Sequence, residues 1–150
     1  MAILALAGLF IATYLTLYHY GYIGTLVCSA TRGCEAVQTS RWSKLLGFPV
    51  AMWGLGYYAA VFALTTVGTQ DRFAESRRFA LTLLIVTGWG ALFSAWLTYL
   101  EGFSIRAWCQ WCIASATVAW ALFAVGLIDW KRSTTPFKKG EETSRSLRYP

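Results

Sequence analysis

Apolar residues dominate four long stretches of the chain, and in none of them do polar positions recur every three or four residues. Ala2 to Tyr20, Pro49 to Val67, Phe79 to Leu100 and Ala107 to Ile128 contain no Asp, Glu, Lys or Arg. A helix of a soluble bundle carries a polar face. These stretches carry none, and each approaches the ~20 apolar residues that cross a bilayer as a helix. The pattern predicts an all-α integral membrane protein, a four-transmembrane-helix bundle. The first stretch has a second reading as a secretory signal. It lacks a positive leading region, runs longer than a signal core, and meets only a loose cleavage match in "LVCSA". It is read as a span.

The connections differ in kind. Gly21 to Phe48 is the longest, and its end, "SRWSKLLGFP", sets Trp42, Leu45 and Leu46 on one helical face with Arg41 and Lys44 elsewhere. This predicts a short amphipathic interfacial helix in the first extracytoplasmic loop, capped by Ser40 and stopped by Gly47 and Pro49. The second connection, "GTQDRFAESRR", is short and charged, and the third, "EGFSIR", is a tight turn between antiparallel spans. Residues 1–130 form one four-helix domain on this reading. Residues 131–150 form a basic, polar tail of disordered composition.

Composition supports the membrane assignment: 57% hydrophobic and 13% charged residues lie far from the soluble balance of about half and a quarter. Charge then sets the orientation. Arg72, Arg77, Arg78, Lys131, Arg132, Lys138, Lys139, Arg145 and Arg148 fall on the side of the two termini. Only Arg32, Arg41, Lys44 and Arg106 fall on the other. The positive-inside rule puts both termini in the cytoplasm. The net charge of +6 is then a cytoplasmic tail facing anionic lipid, and nucleic acid is not implied. The membrane is a prokaryotic plasma membrane or the endoplasmic reticulum. Most aromatic residues read as interfacial anchors, Tyr18, Tyr20, Tyr22, Trp42, Trp108 and Trp111 outside and Trp130 inside. Trp89 and Trp96 lie deeper and are candidates to line a pocket.

The same orientation gathers Cys28, Cys34, Cys109 and Cys112 on the outer side, where disulfides form and persist. Cys109 and Cys112, in "CQWC", share one face of a helix's first turn. Free backbone N–H groups and the dipole there favour the thiolate, the nucleophile of disulfide exchange. Cys28 and Cys34, in "CSATRGC", sit in a segment of small residues suited to meet a soluble partner. Together the pairs make a relay from an outside dithiol to an acceptor dissolved in lipid. Two static disulfides or a four-thiolate zinc site are the alternatives. A C-x-x-C within a helix turn is a poor staple, and six-residue spacing is wide for a zinc knuckle. A thiol exchanger that spans the membrane would need cysteines on both sides. His19, at a span's end without acidic or histidine neighbours, is assigned no catalytic role.

Cys28, Cys34, Val37, Ser40, Arg41 and Trp42, followed by "GFP" and later by "CQWC", form a pattern that resembles the vitamin K epoxide reductase family. The resemblance spans nearly all of Ala2 to Ile128, and "GFPVAMWGLGYY" is similar to the prokaryotic members. It implies a membrane oxidoreductase with a quinone (menaquinone, ubiquinone or vitamin K) as electron acceptor. The thiol donor would be a separate thioredoxin-fold protein, since only a short tail stands where many bacterial members carry a fused domain. By position, Cys28 would meet the partner, Cys34 would attack Cys109, and Cys112 would face the quinone and attack it, with Cys109 resolving. Ser40 would stand near the ring as well as capping a helix, and Cys112, Ser40, Trp111 and Ser115 are the candidate ring contacts. The Tyr-Ala run of vertebrate members is replaced here by Ser115 and Ala116. That departure counts against epoxide reduction and leaves quinone reduction standing.

Overall fold

The computed structural model describes residues 1–26, 28, 33–68 and 77–134. Four long helices, α1 (Ala2–His19), α3 (Val50–Val67), α4 (Arg77–Leu100) and α5 (Gln110–Thr134), are joined at one end by α2 (Gly33–Thr39) and short irregular pieces. Four segments, Ala2–His19, Val50–Val67, Arg77–Ile105 and Gln110–Arg132, are long and apolar enough to cross a membrane. Their large apolar side chains point outward. Ile3, Phe10, Ile85 and Leu92 are all mostly exposed, an arrangement that suits hydrocarbon and not water.

Backbone polarity is satisfied inside each helix, as hydrocarbon demands. Span threonines follow suit: Thr13 donates to the Leu9 carbonyl at 2.7 Å and the buried Thr87 to that of Leu83 at 2.8 Å. The centre is small-residue packing, with Ala5 and Ala12 of α1 against Tyr58 and Val61 of α3 and Leu122 of α5. Helix α1 packs on α3 and α5, and α4 packs on α5, whereas α3 and α4 meet sparsely. The space between these last two holds the cavity described below. At the end away from the cysteines, the Arg77 guanidinium lies 5.2 Å over the Trp130 ring and ties the start of α4 to the end of α5.

Two local expectations change. The first loop does contain a short helix, but it is α2, ahead of Ser40. From Arg41 the chain makes a single 3-10 turn (Arg41–Ser43) and then a two-stranded ladder, β1 (Lys44–Leu45) against β2 (Phe48–Pro49). The cause is the two-residue turn between the strands. Leu46 and Gly47 both have positive φ, 55° and 86°, the geometry of a type I′ hairpin, which suits glycine and strains leucine. Ser40 therefore closes a helix and does not open one: its hydroxyl donates to the Val37 carbonyl at 2.7 Å, and it makes no cap bond to the turn that follows.

The second change is the start of the fourth span, at Gln110 and not Ala107. Helix α4 runs on through a π-turn, Glu101–Ile105, and Arg106 then turns left-handed at φ 54°. The Glu101 carbonyl accepts the Ala107 N–H at 3.2 Å, and residues 106–109 lead into α5 without regular structure. At its other end α5 continues to Thr134, four residues into the expected tail. The rest of that tail, 135–150, and the charged connection at 69–76 lie outside the described residues.

Candidate functional site

The π-turn and the entry to α5 place Cys109 at the helix's mouth, where its carbonyl accepts the Ile113 N–H at 3.0 Å. Helix α2 crosses directly over this point. A Cβ on Gly33 would overlap the Trp108 carbonyl oxygen, with the Trp108 carbonyl carbon and nitrogen both 3.2 Å away. Glycine is what permits backbone to lie on backbone here. The contact sets the next residue, Cys34, against Cys109, and with Val37 these form a buried cluster. Cys34 is 2% exposed and Cys109 0%. Cys28 and Cys112 pack on the same cluster, so all four cysteines meet at one end of the bundle. Cys28 and Cys34 are joined as a disulfide, while Cys109 and Cys112 are thiols.

The two thiols interact. The Cys112 N–H points at the Cys109 sulfur at 3.4 Å. The hydrogen bond from the Cys112 side chain, helped by the N–H groups of Cys112 and Trp111, holds Cys109 below the ordinary thiol pKa. Burial and the nearby Glu101 charge oppose this without reversing it. The first-turn donors thus act on sulfur as a helix N-terminus acts on any anion.

Glu101 is the residue that sequence reasoning missed. It is only 4% exposed. Its carboxylate accepts the Cys109 N–H at 3.3 Å and is hydrogen-bonded to the Cys112 thiol. It also lines the cavity. Its one sequence signal is an acidic residue set against the end of a span, in "YLEGF". A buried carboxylate is costly unless its oxygens are served. Here they are served by the redox pair itself.

Beside the cluster lies a cavity of about 640 Å³, within the usual range of small-molecule sites. Its floor is Cys112, Glu101 and Ser115; its walls are Trp53, Tyr57 and Tyr58 of α3 and Trp89, Phe93 and Leu97 of α4. Ser40 and Leu46 close its loop side. Tyr58 is pinned to α5, donating to the Ser115 carbonyl at 2.7 Å and pairing with the Ser115 hydroxyl at 2.9 Å. Of the residues expected near a ring, Cys112, Ser40 and Ser115 line this cavity and Trp111 does not. Trp111 turns to α1, its ring 5.1 Å from that of Tyr14. Trp89 lines the cavity. Trp96 lies outside it, edge-on to Trp42 at 6.5 Å. His19 stands at the end of α1, edge-on to Tyr20 at 6.3 Å and outside the cavity lining.

Among the described residues, no three His, Cys, Asp or Glu side chains are grouped so as to hold a metal ion. Dithiol, disulfide, buried carboxylate and apolar cavity thus lie together at one end of four helices apolar enough to cross a membrane. A family model described as Vitamin K epoxide reductase family matches residues 1–127. With five-sixths of its length so matched, the chain belongs to the vitamin K epoxide reductase family of membrane redox enzymes.

Proposed function

We propose that this multi-pass membrane protein is a quinone-dependent thiol-disulfide oxidoreductase. It would draw electrons from a separate thioredoxin-fold partner outside the cytoplasm and so drive disulfide formation there. The observation that carries this reading is the burial of Cys34 against Cys109, with Cys112 facing an apolar cavity. The cavity residues fit a quinone: aromatic and aliphatic walls suit a flat ring, and Ser40, Ser115 and Tyr57 are among the polar groups that could orient one. When bound, menaquinone, ubiquinone or vitamin K supplies a sink for two electrons and two protons.

The chain's own residues divide the work. The partner's thiolate attacks Cys28 and releases Cys34; the partner's second thiol then closes its own disulfide and frees Cys28. Cys34 attacks Cys109 of an oxidised Cys109–Cys112 pair and releases Cys112. Cys28 then closes on Cys34 and leaves Cys109 and Cys112 reduced. Each exchange breaks one S–S bond and makes one. The disulfide at Cys28–Cys34 with thiols at Cys109 and Cys112 corresponds to this stage. As electrons leave through Cys112 toward the cavity, Glu101 takes up the Cys112 proton and Cys109 closes the disulfide. A pair of static disulfides does not account for the two thiols at Cys109 and Cys112.

The basic residues at the end away from the cysteines, Arg77, Arg78, Lys131 and Arg132 among those described, support cytoplasmic termini. The test is quinone reduction by the full-length protein with a reduced thioredoxin-fold donor. Cys112→Ala should abolish turnover, and unchanged turnover would end the proposal.

A further inference from the structure

Tyr57 is unlike the other polar groups of the spans. The threonine hydroxyls bond to carbonyls a turn back, and Tyr58 bonds to Ser115. The Tyr57 hydroxyl is buried and has no hydrogen-bond partner, the single such side-chain atom among the described residues. A buried donor left unmade costs about 1–3 kcal/mol, so a native fold needs a reason to keep one. The surroundings are arranged to hold it. Its ring packs against that of Tyr58, centroids 5.0 Å apart, and Tyr58 is fixed to Ser115, one helical turn from Cys112. On the far side lies Gly90 of α4, where any Cβ would overlap the Tyr57 ring and hydroxyl. The space that glycine leaves is the space the phenol fills, in the same cavity that Cys112 lines.

Resting on the quinone reading above, we infer that Tyr57 binds the electron acceptor, its hydroxyl donating to a carbonyl oxygen of the ring held against Cys112. The donor stays protonated and moves no electrons. It fixes which edge of the ring faces α3, and by drawing electron density to that oxygen it makes the ring easier to reduce. Such a donor selects for molecules that carry an acceptor oxygen on a flat apolar body, and it discriminates against plain hydrocarbon of the same size.

The experiment measures equilibrium binding of menadione and of a short-chain ubiquinone by quenching of tryptophan fluorescence, in the full-length protein and in Tyr57→Phe. Thermal midpoints are taken on the same samples. The hydroxyl's loss should raise both dissociation constants about tenfold and leave the midpoint unchanged or higher, because no partner in the protein is lost. Equal affinities in the two proteins would overturn the inference, and would mean that trapped water serves the hydroxyl. A lowered midpoint would overturn it too, by revealing a protein partner. If the unaltered protein binds and reduces neither quinone, the quinone reading itself falls and this inference with it. Normal binding by the unaltered protein with no change in Tyr57→Phe rejects the inference alone.

Discussion

On the proposed relay, transfer between the two sulfur pairs depends on the close backbone contact that Gly33 permits, and Gly33→Ala tests it. The added methyl would stand inside the Trp108 carbonyl, with two further backbone atoms at 3.2 Å. Backbone cannot rotate out of the way as a side chain can. Helix α2 must therefore lift from the entry to α5 by about 1 Å, and overpacking of this kind costs about 1–3 kcal/mol. Cys34, the next residue, lifts with it. Attack of sulfur on sulfur needs close alignment, and a displacement of about 1 Å can slow a reaction by about 100-fold. The assay uses a Cys28→Ala background, where the Cys34–Cys109 disulfide accumulates because Cys28 is not there to carry it forward. Its appearance is followed by acid quench and mass spectrometry after the helix pair is oxidised. Gly33→Ala should slow that appearance about 100-fold while the protein still runs as a folded species in detergent. An unchanged rate would show that the backbone contact does not set the sulfur separation, and the account of α2 would be wrong.

Two more outcomes follow from the same site. Glu101→Gln keeps the acceptor for the Cys109 N–H but cannot take a proton, so oxidation of the Cys109–Cys112 pair by quinone should slow by about 100-fold or more. Exchange between Cys34 and Cys109 should change far less, and equal slowing of both steps would point to a structural role. Cys109, held below the ordinary thiol value by its bond from Cys112, should remain thiolate as pH falls through the range where a free cysteine has already protonated. It should take up its proton only at lower pH. In Cys112→Ala the titration should move back up. The ¹³Cβ shift of labelled Cys109 reads both curves, and coincident curves would refute the assignment.

How much of this was legible in the sequence follows from what each feature depends on. The four spans were legible because hydrocarbon rejects charge wherever it lies along a helix, and Asp, Glu, Lys and Arg mark the boundaries without help from neighbours. The end of the third span was blurred because Leu100 to Ile105 holds one acidic residue in apolar company, and helix continues there through a π-turn. The short helix expected from Ser40 was a misread of period. Trp42, Leu45 and Leu46 do fit a helical face, but a Leu-Gly pair with both φ positive makes a hairpin, and leucine is not a residue that announces one. Cys112, Ser40 and Ser115 were named from the resemblance to the family, position by position, and all three line the cavity. Trp111, named in the same way, does not, since the side of α5 it faces depends on where α1 packs. Glu101 and Tyr57 gain their meaning only from other elements, the thiols of α5 in one case and Gly90 of α4 in the other.

The complete burial of Cys109 has a consequence for the company the protein keeps. A sulfur that bulk solvent does not touch is shielded from small thiols and peroxides dissolved in water. On the proposed relay, reducing equivalents would enter through Cys28, half-buried at the edge of the cluster, and pass inward in order. On that reading the fold would work as insulation around a conductor, keeping the innermost sulfurs, Cys34 and Cys109, away from water.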